Sequence, residues 1–316
     1  MIAIIGAGAF GTALAVALAR DGRDVTLWAR DVADMRATRA SPRLVDVTIP
    51  QGVTITDRMA DVAAARSVLL AVPAQTLRDV LTAHATTLNG KTLVACCKGI
   101  DLETLTGPVA TISRTLPDAV GAILTGPSFA ADIARGLPTA LTLACGDEAV
   151  GHALQQSLST GTLRLYRTTD TIGAELGGAL KNVIAIACGV AIGAGLGDSA
   201  RAALMTRGFA EMQRLAGALG ADPQTLTGLS GLGDLALTCT SSLSRNYRHG
   251  LALGAGSDID PALTVEGAAT SRAVTRLGIA RGIDLPVCAV VAGLTDREIS
   301  VETALQTLLS RPLKEE

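Results

Sequence analysis

The chain reads as an α/β protein: a doubly wound parallel sheet in the N-terminal half, then a mainly α-helical C-terminal domain. Three observations carry that reading. Short apolar runs rich in β-branched residues alternate with helical segments through the first half. Gly6-Ala7-Gly8-Ala9-Phe10-Gly11 stands between the first of those runs and a strong helix former. Strand-like runs stop near residue 169, and long helical patterns follow. Alternation of this kind implies a parallel sheet covered on both faces.

The first run is Ile2–Ile5 and the helix after it spans about 10–20. Strand, G-x-G-x-x-G and helix in that order mark a Rossmann-type dinucleotide site. Gly6 permits the tight turn, Gly8 lets backbone approach a pyrophosphate, and Gly11 lets helix and strand pack closely. The helix start then presents N–H groups and a positive dipole end to phosphate. Further strands are expected at Val25–Trp28, Val68–Val72, Leu93–Cys96, Ala122–Leu124, Ala140–Ala144 and Thr162–Leu165. Helices near 31–39, 57–64 and 75–87 separate the earlier ones. In the second half, Asp198 or Ser199 caps a helix whose Met205, Phe209, Met212, Ala216 and Leu219 share one face; Gly220 ends it. Further helices are expected over 243–253, 266–281, 286–295 and 300–309. The domains are therefore 1–168, dinucleotide-binding, and 169–316, helical and catalytic, with the boundary near Arg167–Thr169.

Bulk properties exclude several classes. A net charge of −2 and a pI near 6.0 leave no basic footprint for nucleic acid. Six aromatic rings in 316 residues offer few platforms for stacking bases. Mean hydropathy is +0.40, which raises the question of a membrane span. The longest uncharged stretch after Lys181, Asn182 to Gly197, falls short of the roughly 20 residues a bilayer requires and is rich in Ala and Gly. It reads as a buried helix, and a cytoplasmic protein is expected. The six cysteines form no CxxC and no Cys/His cluster, so no metal is expected and the thiols read as reduced core residues. The scattered His84, His152 and His249 leave a dehydrogenase to find a base other than histidine.

The second strand ends Thr26-Leu27-Trp28-Ala29-Arg30-Asp31. NAD-binding folds carry an acid here for the ribose 2′-OH. Arg30 instead suits a 2′-phosphate, with a preference of roughly 10- to 150-fold for NADP(H). Two alternatives stand beside it: Arg30 is solvated while Asp31 caps the next helix, or Asp31 serves the ribose and admits NAD(H).

Four segments are too polar for their surroundings. Lys98 ends a buried strand in Ala95-Cys96-Cys97-Lys98-Gly99-Ile100, and strand ends face the ligand crevice in such sheets. Gly126-Pro127-Ser128-Phe129-Ala130 is a strand exit bearing a hydroxyl. Lys181 and Asn182 open an otherwise apolar helix, and an unpaired buried ammonium is costly. Gly231-Leu232-Gly233-Asp234 is followed by Ser244-Arg245-Asn246. Each has a plain reading: a strand-end lysine, a helix cap, a turn aspartate, a surface arginine.

Together these segments closely resemble bacterial glycerol-3-phosphate dehydrogenase, the soluble NAD(P)-dependent family. The matching pieces run in one order through nearly the whole chain: GAGAFGTALA at 6–15, LWARD at 27–31, CKGI at 97–100, GPSFA at 126–130, GLPTA at 136–140, LGGALKNVIAIACG at 176–189, TRGFAEM at 206–212, GLGDLALTCTSSLSRN at 231–246 and VEG at 265–267. Residues 39–50 match loosely, and the last 45 or so match mainly in helical pattern. The resemblance implies reversible reduction of dihydroxyacetone phosphate to sn-glycerol 3-phosphate, feeding glycerophospholipid synthesis. It implies Lys181 as acid/base and Lys98, Gly126, Ser128, Lys181, Asp234, Ser244, Arg245 and Asn246 as substrate contacts. Ala9, Phe10, Arg30, Lys98, Ala130, Arg245, Val265 and Glu266 would line the cofactor beside Gly6, Gly8 and Gly11. It also suggests a homodimer.

The expected chemistry agrees. A protonated Lys181 stabilises charge growing on the carbonyl oxygen and donates the proton, while the reverse reaction needs it neutral. Glycerol 3-phosphate oxidation is accordingly expected to favour higher pH than reduction. Ketopantoate and β-hydroxyacid reductases also join a dinucleotide domain to a helical one, but lack the GPSFA and GLGD…SRN segments. A nucleotide-sensing regulator leaves Lys181, Asp234 and Arg245 unexplained.

Overall fold

The computed structural model describes residues 1–258 and 265–310; the remainder of the expected 169–316 domain lies outside the described residues. The chain folds as two compact units. The first comprises 1–98 and 106–175, the second 99–105 and 176–316. The last boundary falls inside a helix, at Glu175/Leu176.

The first unit is built on an eight-stranded sheet. Its strands are β1 (Ile2–Ile5), β2 (Val25–Trp28), β5 (Val53–Thr56), β6 (Ser67–Leu70), β7 (Thr92–Ala95), β8 (Val120–Thr125), β9 (Thr139–Cys145) and β10 (Leu163–Thr168). Between β2 and β5, β3 (Ala40–Ser41) and β4 (Leu44–Thr48) form a separate antiparallel pair. The sheet order is β10-β9-β8-β7-β6-β1-β2-β5. The helices are α1 (Ala9–Arg20), α2 (Ala33–Thr38), α3 (Leu77–Ala83), α4 (Ala85–Leu88), α5 (Pro108–Thr115), α6 (Ala130–Arg135) and α7 (Glu148–Leu158). β1, β2, β5, β6, β7 and β8 run parallel, so their carboxyl ends share one edge. Order reverses at β1, between β6 and β2, which opens a crevice at that edge.

The expectation of a parallel sheet needs one correction. β9 pairs antiparallel with β8, and β10 follows β9 in parallel. The reason is helix length. A crossover must carry the chain back along a six-residue strand of about 20 Å, whereas six-residue α6 is only about 9 Å long and stops at Gly136 in the left-handed region, φ 77°. β5 and the β3–β4 pair went unread in the sequence. They lie where Arg39 gathers the Ile49 and Val53 carbonyls at 3.2 and 3.0 Å, together with that of Pro50. The helix expected near 57–64 is a single 3-10 turn at Met59–Val62, and that at 75–87 breaks at His84.

The second unit is helical: α8 (Thr171–Gly193, which begins in the first unit), α9 (Gly197–Ala218), α10 (Asp234–Thr240), α11 (Arg245–Gly254), α12 (Glu266–Arg281), α13 (Pro286–Thr295) and α14 (Val301–Leu309). Asp198 and Ser199 do not cap α9. Gly195 and Gly197, both at positive φ, start it earlier, with Leu196 at the cap and Asp198 paired to Arg201 at 3.0 Å. α8 is 23 residues long, longer than its uncharged stretch, and by length and composition could cross a membrane. In the protein, 89% of its most apolar window is buried. Ala179, Leu180, Val183, Ile184 and Ile186 of α8 join Met212, Leu215, Leu235, Ala273 and Val291 in one core. α8 and α11 touch backbone to backbone. A Cβ on Gly189 would lie 2.2 Å from the Tyr247 carbonyl oxygen, and one on Gly250 2.1 Å from that of Ile186.

Candidate active site

In the first unit the glycine loop is shaped for a phosphate group. Gly6 adopts φ 111°, and a Cβ there would meet the Ala71 carbonyl oxygen at 2.4 Å. Gly11 approaches the Gly6 carbonyl so closely that a Cβ would lie 2.0 Å from it. Beside Gly8, by contrast, a Cβ would find open space within 4 Å. Gly8 is the N-cap of α1, and no side chain caps that helix. Packed glycines therefore hold the turn, the middle one faces free volume, and first-turn N–H groups are left for an anion. Ala9 and Phe10, half-buried, pack against the core beneath. Arg30, just past β2, is exposed and has no side-chain partner among the described residues. Asp31 accepts a bond from the Ala33 N–H at 3.4 Å at the start of α2.

At the same edge, Lys98 follows β7 and its ammonium donates to the Gly126 carbonyl at 2.9 Å. The Ser128 hydroxyl donates to the same oxygen at 3.2 Å. Gly126 follows β8 directly, at φ 134°. Ala130 opens α6. Burial pushes the neighbouring Cys96 thiol up to about 12, with the Lys98 charge offsetting part of the rise.

In the second unit Lys181 lies in mid-α8 rather than at its head, because the helix starts at Thr171, and 7% of its surface is exposed. Its ammonium donates to Asp234 Oδ1 at 2.9 Å and to Thr238 Oγ1 at 2.8 Å. Thr238 in turn donates to Asp234 Oδ1 at 3.3 Å. Asp234, fully buried, opens α10 directly after a π-helical turn at Leu229–Gly233. Such wide turns interrupt the helical ladder and re-aim the residues that follow. The adjacent Cys239 thiol is kept protonated by burial and shares a hydrogen bond with Cys188.

Ser244 caps α11, its hydroxyl accepting from the Tyr247 N–H at 3.2 Å. Arg245, the first residue of that helix, is exposed. Asn246 is buried, donating to Asn182 Oδ1 at 2.8 Å and accepting from the Gly267 N–H at 3.0 Å. It thus ties α8, α11 and the start of α12 together. Val265 and Glu266 form the N-cap and first residue of α12.

Two family models match this chain: the NAD-dependent glycerol-3-phosphate dehydrogenase N-terminus over residues 1–151 and its C-terminus over 170–306. The glycerol-3-phosphate dehydrogenase [NAD(P)+] of Cereibacter sphaeroides is 63% identical over 316 residues, covering both chains fully. That of Paracoccus denitrificans is 62% identical over 315 residues, covering all of this chain and 99% of its own. A crystal structure of glycerol-3-phosphate dehydrogenase from Coxiella burnetii superposes with a TM-score of 0.93 at 36% identity, covering 98% of each chain.

The chain belongs to the NAD-dependent glycerol-3-phosphate dehydrogenase family.

A dehydrogenase of this family uses NAD(P), and the loop at 6–11 fits that group on its own geometry. Sequence reasoning passed over Thr238. Its signal was present, four residues after Asp234 and therefore on the same face of one helix. It also passed over two buried carboxylates. Glu175 Oε1 accepts from the Val109 N–H at 2.5 Å, at the start of α5. Glu211 takes the Val287 and Cys288 N–H groups at 2.7 and 3.1 Å, at the start of α13. Glu175 was marked in the sequence only as a glutamate in an apolar helix, and Glu211 lies among the charged residues of α9 with no mark at all.

Proposed function

We propose that the chain interconverts dihydroxyacetone phosphate and sn-glycerol 3-phosphate, with Lys181 as the acid/base group. The observation that carries this is the buried Lys181 ammonium, held by Asp234 at 2.9 Å and Thr238 at 2.8 Å within a largely apolar core. A bound reduced nicotinamide supplies the hydride to C2 of the ketone. Lys181 stabilises the oxyanion forming there and gives it the proton; in the reverse direction neutral Lys181 takes the proton back. Asp234 favours the ammonium form and, with Thr238, fixes its direction.

The remaining roles follow from position. Gly6, Gly8, Ala9, Phe10 and Gly11 cradle the pyrophosphate, and Arg30 reaches the ribose 2′-position. Lys98, Gly126, Ser128 and Ala130 form the ligand-facing end of β7, β8 and α6. Ser244, Arg245 and Asn246 present the first turn of α11 to the substrate phosphate, Arg245 by charge and Asn246 by holding that turn. Val265 and Glu266 contribute to the cofactor wall. A homodimer in the cytoplasm completes the reading, supported by the exposed apolar Leu196, Leu243 and Ile279 and by six buried cysteines that form no disulfide, as suits a reducing compartment.

Lys181→Met is expected to lower kcat about 10²- to 10⁴-fold with the Kd for NADPH unchanged; a kcat within a few-fold of wild type overturns the assignment. Arg30→Ala is expected to weaken NADPH by about 10- to 150-fold and NADH little. Equal losses for the two cofactors would remove Arg30 as the discriminator.

A further inference from the structure

Lys181 shares a face of α8 with Gly177, one turn earlier. Facing them, Ser230, Asp234 and Thr238 follow one another at the same spacing along the π-helical turn and α10. Lys181 meets Asp234 and Thr238 through side chains. Gly177 meets the turn through backbone alone: a Cβ there would lie 2.4 Å from the Ser230 carbonyl oxygen, 2.8 Å from its carbon and 3.1 Å from Gly231 Cα.

We propose that Gly177 is a positioning residue for the acid/base step, its bare Cα setting the separation across which Asp234 holds Lys181. This rests on the acid/base reading of Lys181. The three atoms nearest an added methyl are all backbone, so no flexible side chain can yield to relieve the contact. Ordinary carbon contacts need about 3.5 Å, so α8 and the turn must part by roughly 1 Å. Asp234 is one turn from the contact and moves with it. Coulomb attraction falls with separation, and the ammonium loses support. Facing Lys181 from α10 are the Asp234 carboxylate, the protonated Cys239 and the Thr238 hydroxyl. Asp234, an ion pair at 2.9 Å, is the charge on this element whose distance changes.

The experiment is the pH dependence of kcat/KM on full-length enzyme in both directions. In Gly177→Ala the alkaline midpoint of dihydroxyacetone phosphate reduction and the acidic midpoint of glycerol 3-phosphate oxidation should both move to lower pH, together, by about one unit. A lowered Tm with both midpoints unmoved overturns the proposal. Val291→Ala, a core truncation in α13, should lower Tm and leave the midpoints alone; a matching shift in that variant would trace the effect to general loosening and sink the idea. If Gly177→Ala does not fold, Leu226→Val serves. Leu226 lies fully buried under the same turn, its Cα 2.5 Å from where a Gly231 Cβ would be, and should give the same shift in smaller degree; no shift there counts against Gly177. Failure of the underlying reading is separable, because Lys181→Met would then keep its kcat.

Discussion

At the residue scale, the side chains proposed for proton transfer and for phosphate binding are held differently. Lys181 and Asp234 are buried with explicit partners, so their geometry is preset before any ligand arrives. Arg30 and Arg245, the proposed phosphate contacts, are exposed. Gly8 stands between these cases. Its φ of −71° and ψ of 178° suit any residue, and no atom lies near its absent side chain. A methyl there should leave the fold intact and occupy the volume proposed to take the pyrophosphate. Gly8→Ala is therefore expected to keep the Tm of the cofactor-free protein and to lose most of the Tm rise that saturating NADPH gives wild type, a rise worth about 3 kcal/mol at a hundredfold excess over Kd. Thermal melts with and without NADPH decide it; an equal rise in both proteins refutes the role of Gly8.

At the element scale, buried carboxylates hold helix starts that have no cap of their own. Glu211 closes the start of α13 from α9, and Glu175 that of α5 from α8. Both carboxyls are pushed above the usual carboxylate range by burial, which the backbone N–H bonds only partly offset. Glu175 reaches about 8, with Asp170 adding to the rise. The folded state thus keeps a proton that the unfolded chain gives up near 4.5. The stabilisation is complete below that pH and is lost as pH rises through about 8. Unfolding free energy should fall by up to about 1.4 kcal/mol per pH unit over this window. Glu175→Gln keeps an acceptor for Val109 and cannot ionise, so its stability relative to wild type should climb with pH. Urea midpoints at pH 5, 6.5 and 8 provide the check, and a constant difference excludes Glu175 as the group responsible.

At the scale of the whole molecule, the six cysteines are buried in three apolar clusters and form no disulfide. Burial raises the Cys96, Cys145, Cys239 and Cys288 thiols, and thiolates are the reactive form. The native enzyme is expected to react with close to no equivalents of an aromatic disulfide reagent, and with six after denaturation; rapid labelling of native protein would contradict the packing. The α/β order, the glycine loop and most C-terminal helices were legible in the sequence because each is a local pattern: a period, a cap or a turn residue. β5, the reversal at β9 and the early start of α9 were not, since they depend on which strand edge is free, on how far α6 reaches, and on two glycines at positive φ. The same division runs through the site. The residue types alone singled out Lys181, because an ammonium in an apolar stretch demands a partner, while Asp234 and Arg245 stood out only through the family resemblance. Tertiary structure decided which partner. Thr238 joins Asp234 on Lys181, and Asn246 turns inward to Asn182 and Gly267, because the π-helical turn and the bare glycine backbones of α8 and α11 bring residues far apart in the chain to hydrogen-bonding distance.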